Sequence, residues 1–344
     1  MSSKVFILAG EASGDMHGAS LMRALKEQNP AVEIYGLGGN RMIEQGLKPL
    51  YHIDKMSFLG FLEVLKHLPF IRKVKSDVIE FIIREKIDTV VLIDYPGFNL
   101  SIARDLRPLV KNLIYYISPQ LWAWGKRRVK KIRRFIDLMI VVFPFEKTFY
   151  EKHGVKAEFV GHPLVSKFSS CNFISKEQLF SDNGLDPVKP VLLVLPGSRE
   201  HEVKEIFPHV IKAAVRLSEK YGMQTVVGCA DTIDRKIFET LSSERNYTLI
   251  SGYPDELKKY SHFGIIKSGT STVESALLGL PMVVVYKTSR LTYMIGKMLI
   301  NIGNLAMVNI LAGKNIVPEI IQDDVNEENI IRICSSILDN ESER

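Results

Sequence analysis

The feature that most limits the fold of this chain is a series of short, unbroken apolar runs, each followed by a stretch with helical periodicity. In the first half the runs fall at Val5–Ala9, Glu33–Leu37, Thr89–Ile93, Leu113–Ile117, Leu138–Phe143 and Ala157–Val160. In the second half they fall at Val191–Leu195, Thr225–Cys229, Thr248–Ile250, Phe263–Lys267 and Met282–Tyr286. A strand with one wet face alternates apolar and polar residues, whereas a strand covered by helices on both faces does not. Strands of the second kind, alternating with helices, predict βαβ units and parallel sheets. The series breaks between residues 161 and 190, a stretch holding Gly161-His162-Pro163 and Asp186-Pro187-Val188-Lys189-Pro190. With 344 residues the chain has material for two cores of ordinary size. The expected class is α/β, with two Rossmann-like, doubly wound parallel-sheet domains facing across a cleft.

Composition narrows the partners. The formal net charge is +6, and the run from Lys126 to Arg134 alone holds seven positive charges. A basic surface points to anionic partners: nucleotide phosphates, nucleic acid or an anionic membrane. No nucleic-acid module pattern accompanies it, so nucleic acid is not expected. Three cysteines without metal-ligand spacing predict no metal site and fit a reduced, cytoplasmic protein. No stretch reaches the roughly 18 apolar residues of a spanning helix. Val5–Ala9 runs straight into Gly10-Glu11-Ala12-Ser13-Gly14-Asp15 and reads as a first strand, not a signal peptide.

In doubly wound sheets, ligands bind outside the carboxyl ends of the strands, so the loops after strands should carry the chemistry. The loop from Gly10 to Gly18 fits a Gly-x-Gly-x-x-Gly fingerprint poorly, and Glu11 and Asp15 would repel a pyrophosphate. It reads either as a strand-to-helix turn with Asp15 as a helix N-terminal charge, or as an acceptor loop whose carboxylates handle hydroxyls. Asp94 closes a buried strand before Tyr95-Pro96-Gly97, where it is either a general base with a tuned pKa or a turn and helix cap. Both tryptophans lie in one loop with Ser118-Pro119-Gln120, which reads as a packed corner or a sugar-stacking surface. Pro196-Gly197-Ser198-Arg199 offers loop N–H groups and a guanidinium fork for phosphate, although Glu202 is an equal partner for Arg199. Ser268-Gly269-Thr270 opens a helix whose N-terminus suits a phosphate, with Glu274 one turn on as an acceptor for ribose hydroxyls. Residues 58–75 are too apolar for an ordinary exposed helix and are edged by Lys and Arg. They read either as a core helix or as an interfacial segment with Phe58, Phe61, Leu62, Leu65, Leu68, Phe70, Arg72 and Lys73 at the lipid.

Taken in order, these motifs resemble those of the lipid-A-disaccharide synthases. The resemblance runs from Gly10 to about Gln322. It is carried by Gly10–Asp15, Gly36–Met42, Gly60–Leu65, Ile93–Asn99, Tyr116–Trp124, Phe143–Glu146, Val160–Pro163, Leu195–Arg199, Ser268–Thr270 and Asn309–Gly313. It implies a GT-B glycosyltransferase that inverts the anomeric centre and needs no cofactor or bound metal. The implied partners are an acylated UDP-glucosamine donor, an acylated glucosamine 1-phosphate acceptor and inner-membrane phospholipid. The implied location is cytoplasmic, peripheral on the inner membrane, and the family pattern admits a homodimer.

On this resemblance residues 1–165 form the acceptor side, 166–325 bind the UDP-sugar, and 326–344 form a last helix crossing back to the first domain. Asp94 is the implied base, with Glu11 and Asp15 beside it in the acceptor site. Gly197, Ser198 and Arg199 with Ser268, Gly269 and Thr270 hold the diphosphate, and Glu274 holds the ribose. Asn309, Glu319 and Gln322 line the donor side. Gly97 stands where family members often carry a second Asp, which leaves the base role to Asp94 or Glu11. Two other classes compete: a UDP-N-acetylglucosamine 2-epimerase, which shares the architecture and needs no lipid-facing segment, and a non-catalytic sugar-nucleotide or lipid-binding module.

Overall fold

The computed structural model describes residues 4–55, 68–119, 121, 128–169, 171–290, 293–294, 304–340 and 342. The chain divides into two compact units, Met1–Pro163 and Leu164–Arg344. The first is built on strands β1 (Lys4–Ala9), β2 (Glu33–Gly38), β3 (Lys48–His52), β4 (Thr89–Ile93), β5 (Asn112–Tyr116), β6 (Leu138–Val141) and β7 (Ala157–Phe159). They form one sheet in the order β3-β2-β1-β4-β5-β6-β7. The second unit uses β8 (Val191–Leu195), β9 (Gln224–Cys229), β10 (Thr248–Ser251), β11 (Phe263–Lys267), β12 (Met282–Tyr286) and β13 (Glu319–Ile321), in the order β10-β9-β8-β11-β12-β13. Every neighbouring pair in both sheets is parallel.

The continuous apolar runs are explained by burial on both faces. In β1, Phe6 and Leu8 enter one core cluster while Ile7 and Ala9 enter another. In β8, Leu192 and Val194 pack on one side and Val191 and Leu193 on the other. Successive side chains of a strand point to opposite faces, so a run apolar at every position needs two cores.

Strands β3 and β13 escape the sequence reading, and both are edge strands. β3 (Lys-Pro-Leu-Tyr-His) is exposed or half-buried throughout and carries a proline, which an edge tolerates. β13 has only three residues.

The last helix belongs to the second compact unit. Glu327–Leu338 is capped by the Asn326 side chain, which accepts the Asn329 N–H at 3.0 Å. Its Ile330, Cys334 and Ile337, spaced four and three apart, are buried in the second unit's core against helix Glu200–Tyr221. The apolar stripe thus packs within that unit. Burying each such aliphatic side chain is worth about 1.5–3 kcal/mol.

The segment assigned to lipid is only partly described, since Phe58, Phe61, Leu62 and Leu65 lie outside the described residues. Helix Leu68–Glu85 buries Val74, Val78 and Ile82 on one face. Phe70, half-buried, packs against this unit's core, with its ring 5.9 Å from that of Tyr51, edge to face. Leu68 is half-buried, while Arg72 and Lys73 are exposed. Among the described residues, no helix is long and apolar enough to cross a membrane.

Both sheets reverse their winding direction once, between β1 and β4 in the first unit and between β8 and β11 in the second. Crevices for ligands open at such switch points. The loops after these four strands are those beginning at Gly10, Asp94, Pro196 and Ser268.

Candidate active site

In the first unit the site is built around Asp94 at the carboxyl end of β4. Asp94 and Tyr95 are both in the left-handed region, with φ of +43° and +45°. This conformation is costly for residues other than glycine and persists only where neighbours enforce it. Two buried side chains do so. Asn99, fully buried in helix Pro96–Leu106, donates to the carbonyls of Ile93 at 3.1 Å and Asp94 at 2.7 Å. The Tyr115 hydroxyl, from β5, donates to the same Asp94 carbonyl at 2.5 Å. Gly10 completes the packing, because a Cβ there would lie 2.1 Å from the Tyr95 ring.

The half-buried Asp94 carboxyl is pushed up to about 6 by burial, reinforced by the charge of Glu11 and opposed by the Tyr95 N–H. A carboxylate with that value is a stronger base than an ordinary aspartate and is still ionised at neutral pH. His17 lies two residues beyond Asp15 on helix Ala12–Gln28, with its ring 6.5 Å from that of Tyr116. Burial, with His162 nearby, lowers His17 to about 4, so it is neutral at neutral pH.

Asp15 is bonded to backbone of a neighbouring helix. It is buried, and its two oxygens accept the N–H groups of Gly39 at 2.7 Å, Met42 at 3.1 Å and Arg41 at 3.2 Å. It therefore anchors the start of helix Asn40–Glu44, and its lone pairs are committed to that backbone. Glu11, the N-cap residue of helix Ala12–Gln28, makes no side-chain cap bond and stays half-exposed.

Beside β5, the Ser118-Pro119 loop is fixed from helix Pro144–Lys152. Ser118 donates to buried Glu146, and the Tyr150 hydroxyl donates to the Pro119 carbonyl at 3.3 Å. This accounts for the Phe143–Glu146 motif. Gln120, Trp122 and Trp124 lie outside the described residues.

In the second unit a cavity of about 540 Å³ opens at the switch point. Gly197, Ser198, Arg199, Gly269, Thr270 and Glu274 line it, joined by Lys258 and Lys267. Arg199 is exposed. Helix Thr270–Leu277 starts at Gly269 with no side-chain cap bond, and Thr270 and Ser271 at its positive end line the cavity.

The Ser268 hydroxyl is turned away and donates to the Leu305 carbonyl at 3.1 Å. Glu274 accepts from Lys258, which is 2% exposed and also donates to Asp255 at 2.9 Å. The carboxylate assigned to ribose is thus held in place by a buried lysine.

Glu202 takes part as well. Burial pushes its carboxyl up, but Lys267, the Ser198 N–H and Arg199 outweigh that and hold it below its ordinary value.

The late residues do not line this cavity. Asn309, fully buried, accepts the N–H groups of Ile316 and Val317 and donates to Glu319 at 2.8 Å. Glu319 accepts the N–H groups of Leu305 and Ala306 at 2.8 and 3.0 Å. Gln322 makes two bonds to the backbone of Thr288. Of the three, Glu319 holds the backbone of Leu305, whose carbonyl Ser268 also bonds, while Gln322 holds the backbone of Thr288.

Sequence reasoning passed over His17, Asn99, Tyr115, Lys258 and Lys267. A signal existed for Lys267, which is a charge closing an otherwise apolar strand at its carboxyl end. Among the described residues, no group of three or more His, Cys, Asp or Glu is placed to hold a metal ion.

The model of the lipid-A-disaccharide synthetase family matches residues 5–344. A lipid-A-disaccharide synthase of Geobacter sulfurreducens is 39% identical over 341 residues, covering 98% of this chain and 88% of that protein. One from Myxococcus xanthus is 37% identical, covering 95% and 86%. In fold, the chain is similar to UDP-GlcNAc 2-epimerase from Neisseria meningitidis bound to UDP-GlcNAc, with a TM-score of 0.68, 15% identity, and coverage of 99% and 92%. At that identity the likeness speaks for the two-domain α/β fold alone, whereas the sequence matches speak for the family. The chain belongs to the lipid-A-disaccharide synthetase family, and it is a glycosyltransferase with a sugar-nucleotide donor and a lipid acceptor.

Proposed function

We propose that the chain joins the 2,3-diacylglucosamine of its UDP donor to the 6-hydroxyl of 2,3-diacylglucosamine 1-phosphate, giving the β-1,6-linked disaccharide 1-phosphate and UDP. The observation that carries this reading is the Asp94 carboxyl, raised to about 6 on a turn fixed by Asn99 and Tyr115. Asp94 accepts the hydroxyl proton as the acceptor oxygen bonds to C1 of the donor sugar. The bond from C1 to the phosphate oxygen breaks, UDP leaves with the electron pair, and the anomeric centre inverts. Arg199 and the open N-terminus of helix Thr270–Leu277 meet the charge that grows on the leaving diphosphate.

No resident metal or cofactor is assigned, so protein treated with EDTA should keep its activity. Glu11 is retained beside Asp94 as the charge that helps to raise it. The decisive comparison is Asp94→Asn and Arg199→Ala against the unaltered chain, with both products followed by mass spectrometry. Turnover should fall by about a hundredfold or more in each variant. Full activity in folded Asp94→Asn protein would remove the base assignment.

The segment containing Phe58, Phe61, Leu62 and Leu65, continued by Leu68, Arg72 and Lys73, is proposed to seat the chain on the cytoplasmic face of the inner membrane. Its apolar residues edged by cations support this, and both substrates carry acyl chains. Vesicle flotation tests the placement, and light scattering tests the homodimer that the family pattern admits.

A further inference from the structure

Glu202 leaves the first turn of helix Glu200–Tyr221 and folds back against the Pro196–Arg199 loop. One carboxylate oxygen accepts from Lys267 Nζ at 2.7 Å and lies 3.6 Å from Arg199 Nη1. The other accepts the Ser198 N–H at 3.1 Å. An ammonium, a guanidinium and a loop N–H beside a helix start are the kind of donors that bind a phosphate group. Here one carboxylate occupies all three. Gly197 permits this approach, since its φ is +132° and a Cβ there would lie 2.7 Å from both Cβ and Oε2 of Glu202.

Lys267 is not sealed behind this pair. It lines the 540 Å³ cavity, and its side chain is 17% exposed. A Cβ on Gly269 would meet only Lys267 Nζ, at 3.8 Å, so glycine leaves the ammonium open to the cavity from that side. The lysine carries its charge on a flexible four-carbon stem and can change partner without moving the backbone.

We propose that Glu202 is a stand-in anion for the donor's diphosphate, and that Lys267 is a diphosphate-binding residue which passes from Glu202 to the diphosphate when the donor binds. This rests on the reading that the cavity takes the UDP donor. With the site empty, the pairing keeps two partly desolvated charges from standing alone. With the donor present, a diphosphate offers Lys267 more negative charge than one carboxylate does, and Glu202 keeps the Ser198 N–H. The rival account is a permanent ion pair that braces the loop and never touches ligand.

Calorimetric titration with UDP and, separately, uridine distinguishes the two. It should be run on the full chain, on Lys267→Met, Glu202→Gln and the double variant, and on Arg199→Ala as a check on the donor site. Lys267→Met should weaken UDP binding about tenfold or more and leave uridine within about twofold. Glu202→Gln should strengthen UDP binding severalfold, because the competing charge is gone. The double variant leaves neither charge unpaired, so its folding is not at issue, and its preference for UDP over uridine should still be reduced. If that preference is intact in both Lys267 variants while Arg199→Ala loses it, the exchange is wrong and the donor site stands. If UDP fails to bind the unaltered chain, the donor-site reading falls and takes the exchange with it.

Discussion

Replacing Asp94 by Asn should make the protein inactive and more stable at once. The carboxyl sits at about 6 in the fold against an ordinary value of 3.8, a difference of about two pKa units. One unit is worth 1.36 kcal/mol, so ionised Asp94 costs the folded state up to about 3 kcal/mol, and about 1–2 after allowing for solvent at a half-buried side chain. The sign follows from which state holds the proton more tightly. Below pH 3.8 the carboxyl is neutral folded and unfolded, and Asn and Asp are equivalent. As pH rises towards 6 the unfolded chain ionises freely while the folded chain resists, so the cost grows, and it is complete above about pH 7. Asn also tolerates the left-handed backbone at this position better than most residues. Urea unfolding of both proteins at pH 8 and pH 5 should show a gain of about 1–2 kcal/mol for Asp94→Asn at pH 8, and about half of it at pH 5. No gain at pH 8, or an equal gain at both values, would refute the claim that burial of this charge stores the free energy.

The same carboxyl sets a pH profile: kcat/KM should rise with unit slope to a bend near pH 6 and stay level above it. A bend near pH 4 would mean that an unperturbed carboxylate acts. Asp15→Ala strands the N–H groups of Gly39 and Met42, so it should destabilise the chain by about 2–3 kcal/mol. A fully stable but inactive Asp15→Ala protein would return Asp15 to the chemistry. Tyr115→Phe removes one of the two side chains holding the Asp94 carbonyl. It should cost about 0.5–1.5 kcal/mol and lower turnover at unchanged donor affinity.

The fold was legible because burial on both faces leaves continuous apolar runs, as in Val191–Leu195. It was illegible at β3 and β13, where an edge strand needs only one packed neighbour and Lys48-Pro49 or Glu319 is tolerated. Asp94 and Arg199 could be singled out because they lie in loops after strands, a placement that chain order reveals; that these strands flank the switch points is visible only in the sheet order. The backbone partners of Asp15 could not be read from the sequence, because they lie 24 to 27 residues away. Glu202 was seen as a partner for Arg199, but its bond to Lys267 spans 65 residues and leaves no local trace. Polar residues committed to distant backbone, such as Asn309 and Glu319, look like ligand contacts until their hydrogen bonds are traced.

The central claim is that one carboxylate activates a sugar hydroxyl against a UDP-linked, acylated glucosamine. It is tested most directly by incubating the purified chain, and its Asp94→Asn variant, with UDP-2,3-diacylglucosamine and 2,3-diacylglucosamine 1-phosphate and weighing the products by mass spectrometry. The account predicts UDP and a tetraacyl disaccharide 1-phosphate in equal amounts from the unaltered chain, and a loss of about a hundredfold or more in the variant. UDP released without disaccharide, a donor returned unchanged or epimerised, or a variant as active as the parent would contradict it.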